Sequence, residues 1–339
     1  MINILADERL PDLDELFPKP FAVTTYKTDS ELLSMLPYSD ILLCRSTLKV
    51  TAELIANSKL QCVGTASSGT DHIDVKYLKS ANIIFFDAKG SNASAVADYV
   101  TATLAWLEIH KGITGKKAGV IGVGEVGTRV IKRLKAAGYD VVCYDPYQQH
   151  DNKEVLMHCD VLCIHPNLHQ TAPYPSFNLI NADFLKQLKP HVSLINAARG
   201  GIVNETDLLQ APIPIQYCTD VYLNEPAINP RIVDFATLCT PHIAGHSIEA
   251  KRRAMVQLST QLHAHFNLPS PVQFTSASDA THYFNALHPW QETVLSRYNP
   301  EEETKQLKQN LDKTAIFLRL RRQHIHRHDF AYYDQLCYI

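Results

Sequence analysis

No CxxC pair occurs among the eight cysteines of this 339-residue chain (Cys44, Cys62, Cys143, Cys159, Cys163, Cys218, Cys239, Cys337). That absence excludes the usual zinc-ligand spacing and a dense disulfide framework. Several stand inside apolar runs such as Val141-Val142-Cys143-Tyr144, as buried thiols of a reducing compartment do. No apolar run approaches the roughly 18 residues needed to span a bilayer, and the N-terminal segment reaches an acid at Asp7 with no basic stretch before it. Neither sign of charge dominates: 32 Lys and Arg against 35 Asp and Glu leave −3, so no global field for nucleic acid exists. The basic stretch Arg319 to Arg327 is explained more simply by a solvated or interface helix. A cytoplasmic protein with no metal, membrane or nucleic-acid partner is expected.

What the chain does have is apolar residues, at 45%, and a length that suits two or three domains. Short apolar runs alternate with helical patterns: Ile2 to Leu5, Ile41 to Cys44, Cys62 to Gly64, Ile83 to Phe86, Val120 to Gly122, Val141 to Tyr144, Val161 to His165, Ser193 to Asn196 and Gln216 to Thr219. Strand and helix in alternation predict an α/β protein with parallel sheets. Long helices are predicted from Ala93 to His110 and from about Ser247 to His265, the second ended by Asn267-Leu268-Pro269-Ser270-Pro271. Beyond Pro271 the chain changes character, with Leu307, Leu311, Ile316, Phe317 and Leu320 at helical intervals in a charged background.

Gly122-Val123-Gly124-Glu125-Val126-Gly127 follows one apolar run and opens a helical pattern. A dinucleotide turn needs this context: one Gly for the tight turn, one for close approach of the pyrophosphate, one for helix against strand. Eighteen residues after Gly127, at the end of the next run, stands Asp145. Its carboxylate can accept the ribose hydroxyls of NAD and repels a 2′-phosphate, and no Arg follows in Pro146-Tyr147-Gln148-Gln149. The bland alternative is a helix-capping turn with a surface acid.

Three further segments end predicted strands, where open α/β sheets place ligands: Asn196 to Gly201, Thr219 to Pro226 and Thr240 to Gly245. Arg199 beside Gly200 and Gly201 suits a carboxylate, the guanidinium supplying a fork of donors and glycine room for substrate. Glu225 and His242 can pair as orienter and acid/base, the carboxylate fixing the imidazole tautomer. Taken singly, each has a plain reading, Glu225 as a turn residue before Pro226 and His242 as one of 16 histidines.

Together, Gly122 to Gly127 with Asp145, Asn196 to Gly201, Asp220 with Glu225-Pro226, and Pro241 to Gly245 resemble the D-isomer-specific 2-hydroxyacid dehydrogenases. Arg45 to Val50, Gly64 to Asp74 and Asn92 to Val100 are similar to the branch acting on a phosphorylated four-carbon hydroxy acid in vitamin B6 synthesis. The run FLRLRRQHIHRHDF, Phe317 to Phe330, looks like a helix of that branch's C-terminal dimerisation domain. The resemblance implies two Rossmann-like doubly wound domains with a cleft between them. Residues 1–92 with 247–266 would form a flavodoxin-like substrate domain, 93–246 the NAD-binding domain, and 267–339 a small dimerisation domain. It implies Arg199, Glu225 and His242 as catalytic, and Gly122, Gly124, Glu125, Val126, Gly127, Asp145, Asp220 and Gly245 at NAD. Arg45, Ser46, Lys49, Ser67 and His246 are implied at the substrate, and a homodimer as the assembly. Two departures stand out: His246 occupies a Tyr position and Pro166 a Thr position. Other readings are a dehydrogenase of another small or phosphorylated D-2-hydroxy acid such as 3-phosphoglycerate, or a non-catalytic NAD-sensing protein.

Overall fold

The computed structural model describes residues 1–113, 115–273, 282–285, 289–324 and 327–336. Cys337 and part of the FLRLRRQHIHRHDF run lie outside them. The chain divides into two compact units, Met1–Asn92 with Ser247–Ala277, and Ala93–His246 with Ser278–Ile339.

The first unit opens with β1 (Ile2–Asp7), α1 (Leu13–Leu16), β2 (Phe21–Tyr26), α2 (Asp29–Met35), β3 (Ile41–Cys44), α3 (Ala52–Ile55), β4 (Cys62–Thr65), α4 (Val75–Ser80) and β5 (Ile84–Asp87). The strands form one parallel sheet in the order β2-β1-β3-β4-β5. Period-2 alternation sends Ile4, Ala6, Ile41 and Leu43 to one core and Leu5, Leu42, Cys44 and Val63 to the other. Strand β2 escaped the sequence reading: FAVTTY is half polar because it lies at the sheet edge, with Thr24 and Thr25 exposed.

The second unit begins with α5 (Ala93–Lys111), followed by β6 (Lys117–Ile121), α6 (Glu125–Ala136), β7 (Asp140–Tyr144), β8 (Val161–Ile164), α7 (Ala182–Leu185), β9 (Val192–Asn196), α8 (Glu205–Leu209), β10 (Ile215–Thr219), α9 (Pro230–Phe235) and β11 (Leu238–Cys239). Its six strands are all parallel, in the order β11-β10-β9-β8-β6-β7. The order reverses between β6 and β8, a switch point of the kind at which open α/β sheets bind ligands. The strand expected before Thr240 is the two-residue β11, too short to show a period of its own. Helix α5 is buried almost all round, which its run of alanines and small residues permits.

Helix α10 (Ile248–His265) returns to the first unit, capped by Ser247, whose hydroxyl accepts from the Ala250 amide. Met255, Leu258 and Leu262 bury against Ile4, Ile41 and Cys62. Then follow α11 (Trp290–Arg297), α12 (Glu301–Gln309), α13 (Lys313–Gln323) and α14 (Phe330–Leu336).

These last helices correct an expectation. They do not make a third unit over 267–339, but belong with the dinucleotide-turn unit from residue 278 onward. Nor is their apolar stripe held for a partner subunit: Leu307, Ile316, Phe317 and Leu320 are buried in a core shared with Leu194, Tyr222 and Ile232 of the same chain. Val294, Tyr298 and Phe330 close the opposite core, against Tyr99 and Leu134. Charged side chains fasten the docking. Arg327 donates to the carbonyls of Ala95 and Ala244 at 3.1 and 2.5 Å, and the Phe330 amide donates to buried Asp98. Arg133 sits 2.5 Å from the other Asp98 oxygen. Burial of such charges is tolerated only with partners of this quality. Leu311 alone of the stripe stays outside, 99% exposed.

Candidate active site

Register sets the site. Across the second sheet Tyr144, Ile121, Ile164, Asn196, Thr219 and Cys239 lie side by side at the strand ends. The loops that follow them hold the candidate residues: Asp145 after β7, Gly122 after β6, His165 and Pro166 after β8, Arg199 after β9, Asp220 and Glu225 after β10, His242 after β11. Sequence positions spread over more than a hundred residues are thus collected along one edge.

The glycine turn fits a dinucleotide. Gly122 takes φ +84°, a left-handed conformation, and a Cβ there would strike the Pro166 backbone across the switch point. A Cβ at Gly127 would collide with the Gly122 carbonyl, so α6 closes on β6 only because it is absent. Gly124 is the N-cap of α6 and faces open space, a cradle at a helix N-terminus that a phosphate can enter. Glu125 pairs outward with Arg129 and Val126 packs on the core beside α5, so their amides rather than side chains face the cradle. Asp145 accepts from the Val123 amide at 2.8 Å and the Tyr147 amide at 3.1 Å, which pins its carboxylate at the turn.

Asp220 is fully buried. One oxygen accepts from the Thr240 hydroxyl (2.6 Å) and the Ile243 amide (2.8 Å), the other from the Ala244 amide (2.8 Å). Burial pushes this carboxyl up against the opposing pull of His242 and these donors. Its visible work is to brace the loop 240–245, and through it His242, whose φ of +57° is left-handed in a non-glycine residue. Gly245 ends that braced loop.

His242 Nδ1 lies 2.6 Å from Glu225 Oε2, while the Tyr222 amide donates to Glu225 Oε1 at 2.9 Å. Burial raises the Glu225 carboxyl, but His242, the Tyr222 amide and the guanidinium of Arg321 outweigh it and leave it below the usual range. A carboxylate fixed on Nδ1 leaves Nε2 for a proton in transit. Arg199 is held by its own loop: Asn196 donates to its carbonyl at 3.2 Å and accepts from the Ala198 amide. The reason for Gly200 differs from the expectation of room for substrate. A Cβ there would overlap the Tyr222 carbonyl, so glycine lets the loops after β9 and β10 touch.

In the first unit the ends of neighbouring β3 and β4 carry the phosphate candidates. Asp7 engages Arg45 through Nε at 2.9 Å, and Ser46 and Lys49 are exposed beyond it. Ser67 bonds Thr65, which also meets His72 Nε2 at 2.8 Å. His246 stacks obliquely on His324, ring centroids 5.9 Å apart. Sequence reasoning missed Tyr222, Thr240 and Asn196 as supports. All three lie inside the strand-end segments named above, but a supporting hydrogen bond leaves no pattern in one sequence. No group of three metal-ligating side chains occurs among the described residues, and no helix there is long and apolar enough to cross a membrane.

Comparisons with known proteins agree in kind. Residues 91–244 match the NAD binding domain of the D-isomer specific 2-hydroxyacid dehydrogenases, and residues 4–116 match the catalytic domain of the same group. The chain is 52% identical to an erythronate-4-phosphate dehydrogenase of Legionella pneumophila subsp. pneumophila, covering 98% of this chain and 96% of that one. It is 34% identical to the protein of that name from Coxiella burnetii, over 98% and 94%. Among solved structures, the cofactor-bound 3-phosphoglycerate dehydrogenase of Entamoeba histolytica superposes with a TM-score of 0.68 at 22% identity, covering 82% of this chain and 99% of that one. The NAD complex of a Staphylococcus aureus formate dehydrogenase gives 0.63 at 24%, over 78% and 96%. At such identities the likeness is one of fold.

Proposed function

The chain belongs to the D-isomer-specific 2-hydroxyacid dehydrogenase family and is an NAD-dependent oxidoreductase, and from that premise we propose the reaction and the residues that perform it. The substrate is 4-phospho-D-erythronate, oxidised at C2 to (R)-3-hydroxy-2-oxo-4-phosphooxybutanoate in the synthesis of pyridoxal 5′-phosphate, vitamin B6. Relatives named for this activity, matched along nearly the whole chain, support that substrate. The observation that carries the chemistry is the 2.6 Å contact of His242 with Glu225 at the end of β11.

NAD, when bound at the Gly122–Gly127 turn, supplies the acceptor for the hydride that leaves C2. Asp145 receives the ribose hydroxyls, and the loop braced by Asp220 carries Gly245 to the cofactor. Arg199 holds the substrate carboxylate through its planar fork. His242 Nε2 accepts the proton of the C2 hydroxyl as the C2–O bond becomes a carbonyl, and Glu225 stabilises the imidazolium that forms. We assign the phosphate to Arg45, Ser46, Lys49 and Ser67, and a substrate hydrogen bond to His246. A neutral imidazole still donates one such bond.

We place the enzyme in the cytoplasm, since the seven described cysteines are all free thiols. We also infer a homodimer, which exposed Leu311 in the turn between α12 and α13, Leu318 on α13 and Tyr332 on α14 support. Following NADH absorbance with 4-phosphoerythronate, erythronate and 3-phosphoglycerate tests the reading. Preference for the first is expected, and preference for the last would move the substrate assignment to a different phosphorylated acid.

A further inference from the structure

We infer that Arg321, on the C-terminal helix α13, is a positioning residue of the reaction, holding the Glu225 carboxylate on the His242 imidazole. The inference rests on the dehydrogenase reading above and deepens it: a segment outside the matched dehydrogenase domains reaches into the catalytic pair.

The geometry is specific. Arg321 Nη1 lies 3.6 Å from Glu225 Oε2, the same oxygen that meets His242 Nδ1. Glu225 Oε1 is taken by the Tyr222 amide. Amide, imidazole and guanidinium thus surround one carboxylate, with the two long side chains of the ion pair only 22% and 19% exposed. Arg321 is also placed by packing and not by chance at a surface. Four residues before it on the helix, Phe317 is buried and packs edge-to-face on Tyr222 at 5.9 Å, the residue whose amide holds the other oxygen of Glu225. Positions i and i+4 share a helix face, so docking Phe317 delivers Arg321. Arg319 and Arg322, on other faces of α13, are exposed.

Electrostatics give the guanidinium a task. Three carboxylates act on this corner: Glu225, Asp220, which interacts with His242, and Glu205, which interacts with Glu225. Left uncompensated, that charge favours the protonated imidazole, which cannot take the substrate proton. A guanidinium against Glu225 offsets it while leaving the Nδ1 hydrogen bond in place.

The test is Arg321→Gln, with Arg321→Lys and Arg322→Gln beside it, in the full-length protein with NAD. Loss of one cation about two bonds' reach behind the carboxylate should move the acid limb of kcat/KM to higher pH by about 0.5–1 unit and lower it roughly 3–10-fold on that limb. Arg321→Lys should recover most of the shift, Arg322→Gln should match the unaltered protein, and the KM for NAD should not change. The ring signal of His242 in the NMR spectrum, identified by its loss in His242→Asn, should titrate at higher pH in Arg321→Gln by the same amount, whatever the substrate proves to be. If Arg321→Gln does not fold, Arg321→Met carries both readouts. An unmoved acid limb with an unmoved His242 titration overturns the inference. A shifted His242 titration in a protein that ignores 4-phosphoerythronate supports it and overturns the substrate reading instead.

Discussion

Replacing Glu225 by Gln changes the charge on the proposed Glu225–His242 pair with little change in its shape. With Oε2 2.6 Å from His242 Nδ1, the charge centres stand about 4 Å apart, an interaction of about 4 kcal/mol at an effective dielectric of 20. The side chains are 31% and 19% exposed, so solvent screening takes roughly half of this, leaving about 2 kcal/mol. That is worth about 30-fold on a transition state that develops imidazolium character. The acid limb of kcat/KM should therefore move to lower pH, opposite in direction to Arg321→Gln, while the plateau falls about 10–100-fold. Gln also offers one acceptor where Glu225 serves two donors, the Tyr222 amide and His242, so part of the fall reflects a loosened ring. The assay is initial-rate NADH formation between pH 5 and 10. An acid limb that stays put, with an unchanged plateau, would refute the pairing as the source of basicity.

Asp145→Ser should narrow the preference for NAD over NADP, since the carboxylate that repels a 2′-phosphate is gone; equal use of both cofactors by the unaltered protein would remove the basis for that role. Arg45→Ala should lower kcat/KM for 4-phosphoerythronate roughly 10–150-fold, the loss of one charge-assisted phosphate contact, and far less for erythronate. Equal losses on both acids would take Arg45 away from the phosphate. Burial lowers His165 to about 3 from 6.5, with Nε2 sealed from solvent. The unfolded chain then takes up a proton that the folded one refuses between pH 6.5 and 3, so stability is lost as pH falls through that window. His165→Asn should flatten this dependence by about one proton in denaturant titrations at pH 4, 5 and 6. Asp98, raised by burial to about 6, contributes the opposite slope in both proteins and cancels in the comparison. Parallel slopes would show that His165 is not the group responsible.

The sequence carried the parts of this molecule that obey short-range rules. A strand buried on both faces shows as an apolar run, and the glycine turn shows because its three glycines fall within six residues between a strand and a helix. The proposed trio of Arg199, Glu225 and His242 stands after strand ends, which a parallel sheet must bring together. What escaped were features set by long-range packing. Strand β2 reads as half polar because it is an edge, and Gly200 serves loop contact because Tyr222 lies above it. The helices after residue 289 carried a legible stripe, but a stripe does not say what covers it. Leu307 and Phe317 find their cover in the same chain, against Tyr222 and its neighbours. Arg321 stood in a quoted run of basic residues, and only the docking of α13 separates it from Arg319 and Arg322.

The central claim, hydride leaving C2 as His242 takes the hydroxyl proton, is tested most directly with 4-phospho-D-erythronate carrying deuterium at C2. The account predicts that the deuterium is recovered in the reduced nicotinamide by mass spectrometry, and that His242→Ala slows its appearance about 10²–10⁴-fold while NAD binding stays near normal. Deuterium retained in the oxidised acid or released to water, or transfer at an unchanged rate in His242→Ala, would contradict it.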